Sequence, residues 1–512
     1  MQKCKNDSLR KRYLYRVVNN SFGLIFGIVT QSMIARSLGP QAYGDFALLS
    51  NFFSRLMGIL GLNTSTCFYT KFSRRLKEYS LVSFYYLFCV LVSLVAILFA
   101  VILVMSNTYK VILPDQKVLY VYMALIFGLL TWLVRTILVQ TADAYGETAR
   151  CEIISLFTKV IGVMVILFLF WKQQLNLTTL FAYHYLVLIM LGLGLVYILQ
   201  TRAHLFSSLS RVPKTEIKKY VKEFYVYTSP VFTFTFFAFL AVVFDRWLLQ
   251  YFSGSVEQGY YGLAFKIAGL TMLFTGALTS LLLREYSLAF HDKNMNKLRA
   301  QFKRYVPLFY SLAAFFACYL SVQADKVISI IGGEEYRQAF TAVAIMALFP
   351  IYQTYGQLGN TLFLATDRTK EHRNIGLLFT IIGIPMAFFL LAPKSLYGLG
   401  WGAIGLSIKM ILLSAISINV RLYRNTKYLG LSYLFYLGHQ ICVVLCLLSL
   451  AFGASQIIEY LSMFSGHVIT NFILAGFLYS IFVLIFIIIL PVLFGLQRND
   501  IQRVLKLVLR NK

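Results

Sequence analysis

Six basic residues fall inside long apolar stretches of the chain: Arg55, Arg135, Lys159, Arg246, Lys266 and Lys409. One acid, Asp245, sits clearly inside such a stretch, and Glu152 lies at the edge of another. A basic side chain at a bilayer centre costs about 2.5–3.5 kcal/mol on insertion scales. Six facing lipid would be a heavy burden, so they are expected to face the protein interior or a water-filled cavity. The excess of cations over Asp245 points to an anionic ligand as the missing counter-charge. Arg55, Lys159 and Lys409 lie near mid-span and carry this reading best. Arg135 and Arg246 lie near helix ends, where a long side chain can also snorkel to the interface. Lys266 is intermediate. Asp245 and Arg246 are neighbours in sequence and so point to different helix faces, which does not make them a pair.

Neutral polar residues recur at helical spacing on two stretches. Asn51, Arg55 and Gly58 share one face, and Gln353, Gln357 and Asn360 share another. Such faces can wet a lumen and bind hydroxyl-rich groups, or they can make interhelical hydrogen bonds. Gly23 and Gly27 form a small-xxx-small pattern, which predicts close helix packing. Other chemistry is missing. The chain has no G-x-x-x-x-G-K-[ST] phosphate loop. Its six histidines are scattered, and its seven cysteines are odd in number without metal-ligand spacing. No cofactor or metal is expected, and no catalytic constellation marks an enzyme.

The elements that must position these residues are membrane helices. Of 512 residues, 59% are hydrophobic and 13% charged, about half the charged share of a soluble domain. About fourteen stretches are long enough to cross the hydrocarbon core. They are residues 15–37, 42–65, 81–106, 118–141, 151–171, 177–200, 224–251, 258–283, 305–324, 338–364, 374–392, 397–420, 430–452 and 469–495. With no water there to satisfy the backbone, each must be a helix. The fold class is therefore an all-α integral membrane protein. Pro350 and Pro385 are expected to kink spans 10 and 11, and Pro393 and Lys394 to mark a short break before span 12. Residues 1–16 are polar and basic without a small-residue cleavage site, so no removable signal peptide is expected.

Charge sets the orientation. With the amino terminus inside, inner segments hold 34 Lys and Arg residues and outer loops hold 7. Both termini are then cytoplasmic. The same bias explains the net charge of +27 without invoking nucleic acid. Residues 201–223 form the longest inner connection before the tail and divide the first twelve spans into two sets of six. Gln41-Ala42-Tyr43 after span 1 echoes Gln258-Gly259-Tyr260 after span 7. These features predict a parallel pseudo-twofold repeat. Residues 1–200 form one lobe, 201–223 the connection and 224–422 the second lobe, with spans 13 and 14 and a basic tail in 423–512.

Several stretches resemble polysaccharide flippases of the O-antigen (Wzx) type, within the multidrug/oligosaccharidyl-lipid/polysaccharide exporter superfamily. One is Ala35-Arg36-Ser37-Leu38-Gly39-Pro40-Gln41-Ala42-Tyr43-Gly44. Another is Phe244-Asp245-Arg246-Trp247-Leu248-Leu249, followed by Gly259-Tyr260-Tyr261 and Ala264-Phe265-Lys266. The resemblance extends over the whole chain in span number and lobe division. It implies export of an undecaprenyl-diphosphate-linked glycan across the bacterial cytoplasmic membrane, through a cationic central cavity between the lobes. The product would feed O-antigen or capsule assembly, with a polysaccharide polymerase and chain-length machinery as partners. Arg55, Lys159, Arg246, Lys266, Lys409 and Arg135 would then meet the diphosphate, with Asn51, Asp245, Gln353, Gln357 and Asn360 as secondary polar lining. Two rivals stand beside this reading. A drug or metabolite antiporter of the same superfamily would need acids for cationic drugs, and here the balance is reversed. A membrane glycan polymerase generally needs a sizeable outer loop, and the outer loops here run to about sixteen residues at most.

Overall fold

The structure is a computed structural model. It describes residues 9–62, 64–75, 78–203, 212–271, 282–283, 285–461 and 467–496. Regular structure among the described residues is helical throughout. Twelve helices are long and apolar enough to cross a membrane. They are numbered here α1 (Leu9–Leu60), α2 (Tyr79–Met105), α3 (Val118–Ala144), α4 (Thr148–Trp171), α5 (Leu177–Ala203), α6 (Lys214–Leu270), α7 (Met295–Val322), α8 (Glu334–Ala365), α9 (Thr369–Leu391), α10 (Gly402–Leu429), α11 (Tyr433–Leu461) and α12 (Val468–Ile489).

Two of these are pairs of arms. α1 breaks at Gly39, with φ 67° and ψ 173°. α6 breaks at Gly254, with φ 79° and ψ −175°. This region of backbone space is essentially glycine's alone. Pro40, which has no N–H to donate, begins the second arm of α1. The predicted loops at these places are thus single-residue breaks. Counting arms, the helices account for the fourteen predicted spans. Much of span 8 beyond Thr271 lies outside the described residues. The first helix of each predicted half breaks in the same backbone conformation. Gly39→Ala should cost about 1–3 kcal/mol, read as a lower melting temperature of the detergent-solubilised protein. An unchanged melting temperature would refute the break as a glycine-dependent feature.

Contacts divide the chain into Met1–Gly259 and Tyr260–Lys512. That border lies in the second arm of α6. α6 itself starts at Lys214, inside the stretch predicted as the connection. In the first unit α1 packs along α3 and α4, and α5 covers both. The core is aromatic: Phe53, Phe68, Phe72 and Tyr85 are fully buried, and Phe68 stacks on Tyr85 with centroids 4.2 Å apart.

The ends of this unit sort as the span count requires. At one end Lys71 Nζ lies 2.8 Å from Glu223 Oε2, and the Tyr220 hydroxyl donates to Glu78 at 2.7 Å. At the other end Trp247 Nε1 donates to the Val111 carbonyl at 2.6 Å. There the breaks of α1 and α6 also cross at backbone contact. A Cβ at Gly44 would stand 1.8 Å from the Ser255 carbonyl oxygen, and one at Gly259 2.0 Å from that of Pro40.

In the second unit α10 packs against α8 and α9, α7 against α8 and α11, and α12 against α11. Tyr479 of α12 donates to the Phe315 carbonyl of α7 at 3.0 Å. The opposite face of α12 is apolar and open, with Ile473, Phe477 and Leu484 about 60% exposed or more. Such a face is stable in lipid, where it has no water to avoid. The expected interruption of span 10 at Pro350 is present: α8 breaks between Phe340–Met346 and Phe349–Ala365, and Pro350 stands in the first turn of the second segment. Its missing N–H is unneeded there. Pro385 lies within α9, whose backbone stays helical through it. Arg421, Arg424 and Lys427, which lie beyond the predicted end of span 12 at residue 420, stand in the last turns of α10. The break at Pro393 and Lys394 is present, as one turn at Lys394–Leu396.

Candidate functional site

The first unit gathers several of the predicted residues around α1, α3, α4 and α5. Lys159 projects from mid-α4 toward the first arm of α1. Its ammonium donates to the Asn19 carbonyl at 3.1 Å and to Asn19 Oδ1 at 2.7 Å. A Cβ at Gly23 would stand 2.7 Å from Lys159 Nζ. Gly23 therefore makes room for a cation, whereas nothing lies within 4 Å of a Cβ at Gly27. The small-xxx-small pattern does not bring two backbones together here. Asn19 also donates to Ser155 Oγ at 3.3 Å and, through a short bond, to Glu152 Oε2. Glu152 thus acts on Lys159 across one side chain, and the local acid is more involved than its edge position suggested. An ammonium has three donors. Asn19 takes two, and the third has no acceptor among the described residues.

Arg135 stands on a π-turn, Trp132–Leu138, inside α3. One turn of wider helix re-aims the side chains it carries, and such turns recur at functional sites. Its side chain is exposed. Its charge acts on the Tyr183 hydroxyl of α5 and on Lys159 of α4. Tyr183 Oη in turn lies 3.2 Å from the Cβ position of Gly162, nearly one turn beyond Lys159. Two cations, one hydroxyl and a carboxamide-linked carboxylate thus act on one another across α1, α3, α4 and α5.

Arg55 lies on the second arm of α1. It is exposed and makes no hydrogen bond or ion pair among the described residues. Asn51, one turn earlier, shares its face and is half-buried. Arg246 has a different setting. It is buried, donates from Nη1 to Gln258 Oε1 at 3.0 Å, and receives Gln258 Nε2 on its carbonyl at 3.1 Å. It also acts on the Tyr43 hydroxyl, so it sits within the crossing of the two breaks. Asp245 is buried beside it.

The second unit holds the rest. Lys409 of α10 is buried, and its Nζ lies 3.4 Å from the Cβ position of Gly383 in α9. A glycine on the neighbouring helix thus accommodates a mid-span lysine in each unit. Lys266, on the second arm of α6, is exposed. Gln353, Gln357 and Asn360 are all half-buried on one face of α8. Asn360 Oδ1 accepts from Arg421 Nη1 at 3.0 Å. Arg421, Asn19 and Tyr183 are absent from the predicted set. Arg421 was hidden by its assignment to a loop. Asn19 carried a usable signal, a carboxamide one turn before Gly23 within an apolar span.

No family model and no curated protein matches this sequence. Solved structures do match its fold. The lipid II flippase MurJ in an inward closed conformation aligns with a TM-score of 0.67 at 12% identity, covering 93% of this chain and 99% of that one. An inward-facing multidrug resistance MATE family transporter of the MOP superfamily aligns with a TM-score of 0.63 at 11% identity, covering 81% and 98%. A MOP superfamily transporter from Pyrococcus furiosus, described as having a binding pocket of reverse polarity, aligns at 0.52 and 12% identity, covering 84% and 100%. The chain has the fold of MOP superfamily transporters, and these neighbours are transporters and flippases rather than enzymes.

Proposed function

We propose that the protein is a flippase. It moves a polyprenyl-diphosphate-linked oligosaccharide repeat unit from the inner to the outer leaflet of a bacterial cytoplasmic membrane, for assembly of O-antigen or capsule. The observation that carries the reading is the state of the cations on the membrane-spanning helices of the first unit. Arg55 makes no ion pair among the described residues, Lys159 meets the Glu152 carboxylate across Asn19, and the charge of Arg135 acts on Tyr183 and Lys159. A diphosphate head group is too costly to pass through hydrocarbon unaided. Guanidinium and ammonium donors replace its water with charge-assisted hydrogen bonds. Arg135 and Lys159 are the assigned diphosphate partners, with Arg55 a further cation on its path and Tyr183 a hydroxyl for its oxygens or sugars. Lys409 and Lys266 are the assigned cations of the second unit. Arg246 is assigned to holding the helix breaks together. Asn51, Gln353, Gln357 and Asn360 offer amides to sugar hydroxyls.

The lipid tail stays in the bilayer, so the head group must pass sideways between helices. Alternating access would carry it across. An inside-negative potential drives an anion outward by about 2.3 kcal/mol per charge per 100 mV, and the same field returns an empty cationic site. The drug-antiporter alternative calls for acids where this chain has bases.

Deletion in the native host tests the reading. Lipid-linked repeat units should accumulate on the inner leaflet while surface polymer disappears. Absence of the lipid-linked unit itself would place the protein in synthesis and overturn the flippase assignment.

A further inference from the structure

Between the end of α7 and the start of α8, on the side that the charge count places outside, the second unit carries an open cleft of about 460 Å³. Its two walls come from consecutive pieces of chain. One is the short helix Ala324–Ile331, which presents Asp325 and Ser329 one turn apart on its exposed face, beside the buried Ile328. The other is the single 3-10 turn Glu334–Ala339, which presents Glu334 and Arg337. Phe340 follows that turn, lines the cleft and is 45% exposed. Gly333 turns the chain between the walls with φ 75° and ψ −169°, a conformation open essentially to glycine alone.

Both walls are fixed from behind. Lys326 is buried and donates to Gln323 Oε1 at 2.9 Å and to Glu459 Oε1 of α11 at 2.8 Å. Tyr336 is fully buried and packs on Gly332, where a Cβ would stand 2.7 Å from its own Cβ. The Tyr260 hydroxyl lies 3.3 Å from Gln338 Oε1 and 3.5 Å from the Glu335 carbonyl oxygen. The charged groups in front are held loosely. Asp325 makes no hydrogen bond or ion pair among the described residues. Arg337 Nη1 stands 3.9 Å from Glu334 Oε2, with both side chains more than four-fifths exposed, and a pair so exposed contributes little. A backbone fixed in this way spares a ligand the cost of ordering the walls.

The chemistry of the lining selects the occupant. Two carboxylates and one guanidinium leave a single negative charge, so a diphosphate is not drawn here. Ile328 and Phe340 offer too little apolar surface for a lipid chain, and the charge of Arg337 opposes a metal ion. A neutral, hydroxyl-rich ligand fits. Carboxylates accept from sugar hydroxyls, and a guanidinium donates to their oxygens. The exposed ring of Phe340 supplies flat apolar surface for the C–H face of a sugar. The volume falls in the range of about 300–1,000 Å³ usual for small-ligand sites.

We infer that this cleft binds sugar residues of a glycan on the outer face. Asp325, Glu334 and Arg337 are its hydrogen-bonding groups, and Phe340 is its stacking surface. Its role rests on the flippase reading: the cleft seats the oligosaccharide as it emerges, while the lipid tail stays in the bilayer.

The test is saturation-transfer NMR on the full-length protein in nanodiscs. The probe is the oligosaccharide freed of lipid and phosphate, by mild acid, from the host's lipid-linked repeat unit. Irradiating the protein should transfer saturation to the sugar protons, in a manner that saturates with sugar concentration. Asp325→Ala and Phe340→Ala should each weaken binding about tenfold, the loss expected for one good contact. Both positions are exposed, so the melting temperature should stay unchanged. Glu335→Ala removes a neighbouring carboxylate outside the cleft and should bind as the unaltered protein does. No transfer to the sugar from the unaltered protein would overturn the inference, and so would undiminished binding by folded Asp325→Ala and Phe340→Ala. The probe carries no diphosphate, so the two readings fail separately. Vesicle transport of the lipid-linked unit without binding of the free sugar would remove the cleft and leave the flippase. Sugar binding that these variants abolish, with no transport in vesicles, would count against the flippase reading alone.

Discussion

Lys159→Met should lower surface polymer about ten- to a hundredfold per molecule of inserted protein. A hydrogen bond to a charged group contributes about 1.5–3 kcal/mol. If it is made to the diphosphate in the rate-limiting crossing, its loss appears in the rate at about 1.4 kcal/mol per decade. The fold should tolerate the change. Asn19 loses two contacts from the ammonium but keeps its bonds to Glu152 and Ser155, and methionine fills the space of the lysine stem. Lys159→Glu should be worse, since it sets a second carboxylate beside Glu152 and repels the phosphates. Arg55 gives a cleaner comparison, because it makes no hydrogen bond or ion pair among the described residues. Arg55→Ala should leave accumulation unchanged and cut export. Arg55→Lys should retain part of the activity, keeping the charge but losing the planar fork that grips phosphate oxygens in pairs. Polymer assayed by immunoblot, normalised to membrane-inserted protein, reads all four. Normal polymer from Lys159→Met and Arg55→Ala would remove these cations from the mechanism.

Gly44→Ala and Gly259→Ala should be the most damaging glycine-to-alanine changes among the described residues. At Gly44 the added carbon meets the Ser255 carbonyl at 1.8 Å and the Gly259 nitrogen at 2.7 Å. At Gly259 it meets the Pro40 carbonyl oxygen at 2.0 Å and its carbon at 2.8 Å. Every atom met is backbone, so no side chain can swing aside and the two arms must separate. Overpacking a well-packed interior costs about 1–3 kcal/mol, and a rigid backbone neighbour places these two at or above the top of that range. Separation would also pull Ser255 from Asp45 and Gln258 from its place beside Arg246. Gly27→Ala is the matched control, with nothing within 4 Å of its Cβ. Fluorescence-detected size exclusion after a heat step should show loss of the folded peak for Gly44→Ala and Gly259→Ala and none for Gly27→Ala. Equal behaviour of all three would contradict the crossing.

Much of this architecture is written in the sequence because the bilayer enforces it. A span must be apolar for about twenty residues, so its existence is read from composition alone. The mid-span Arg55, Lys159 and Lys409 were legible for the same reason: a charge in such a stretch has to be explained. What was hidden depends on partners distant in the chain. Lys159 meets Asn19 from 140 residues away, and no local pattern announces that pair. Gly23 was misread because the spacing of two glycines does not reveal that one of them faces a lysine. Gly39-Pro40 carried a visible break signal, whereas Gly254 stands between two serines and looks like an ordinary loop residue. Arg421 was assigned to a loop because span boundaries follow hydropathy, and α10 continues as a helix past its apolar part.

Transport by the purified protein in vesicles tests the central claim most directly. Undecaprenyl-diphosphate-linked oligosaccharide, labelled on the sugar, is placed in one leaflet and its arrival in the other is followed over time. The unaltered protein should move it, and a variant with Arg55, Arg135 and Lys159 all changed to alanine should move it no faster than protein-free vesicles. Transport by that triple variant at the unaltered rate would contradict the cationic mechanism.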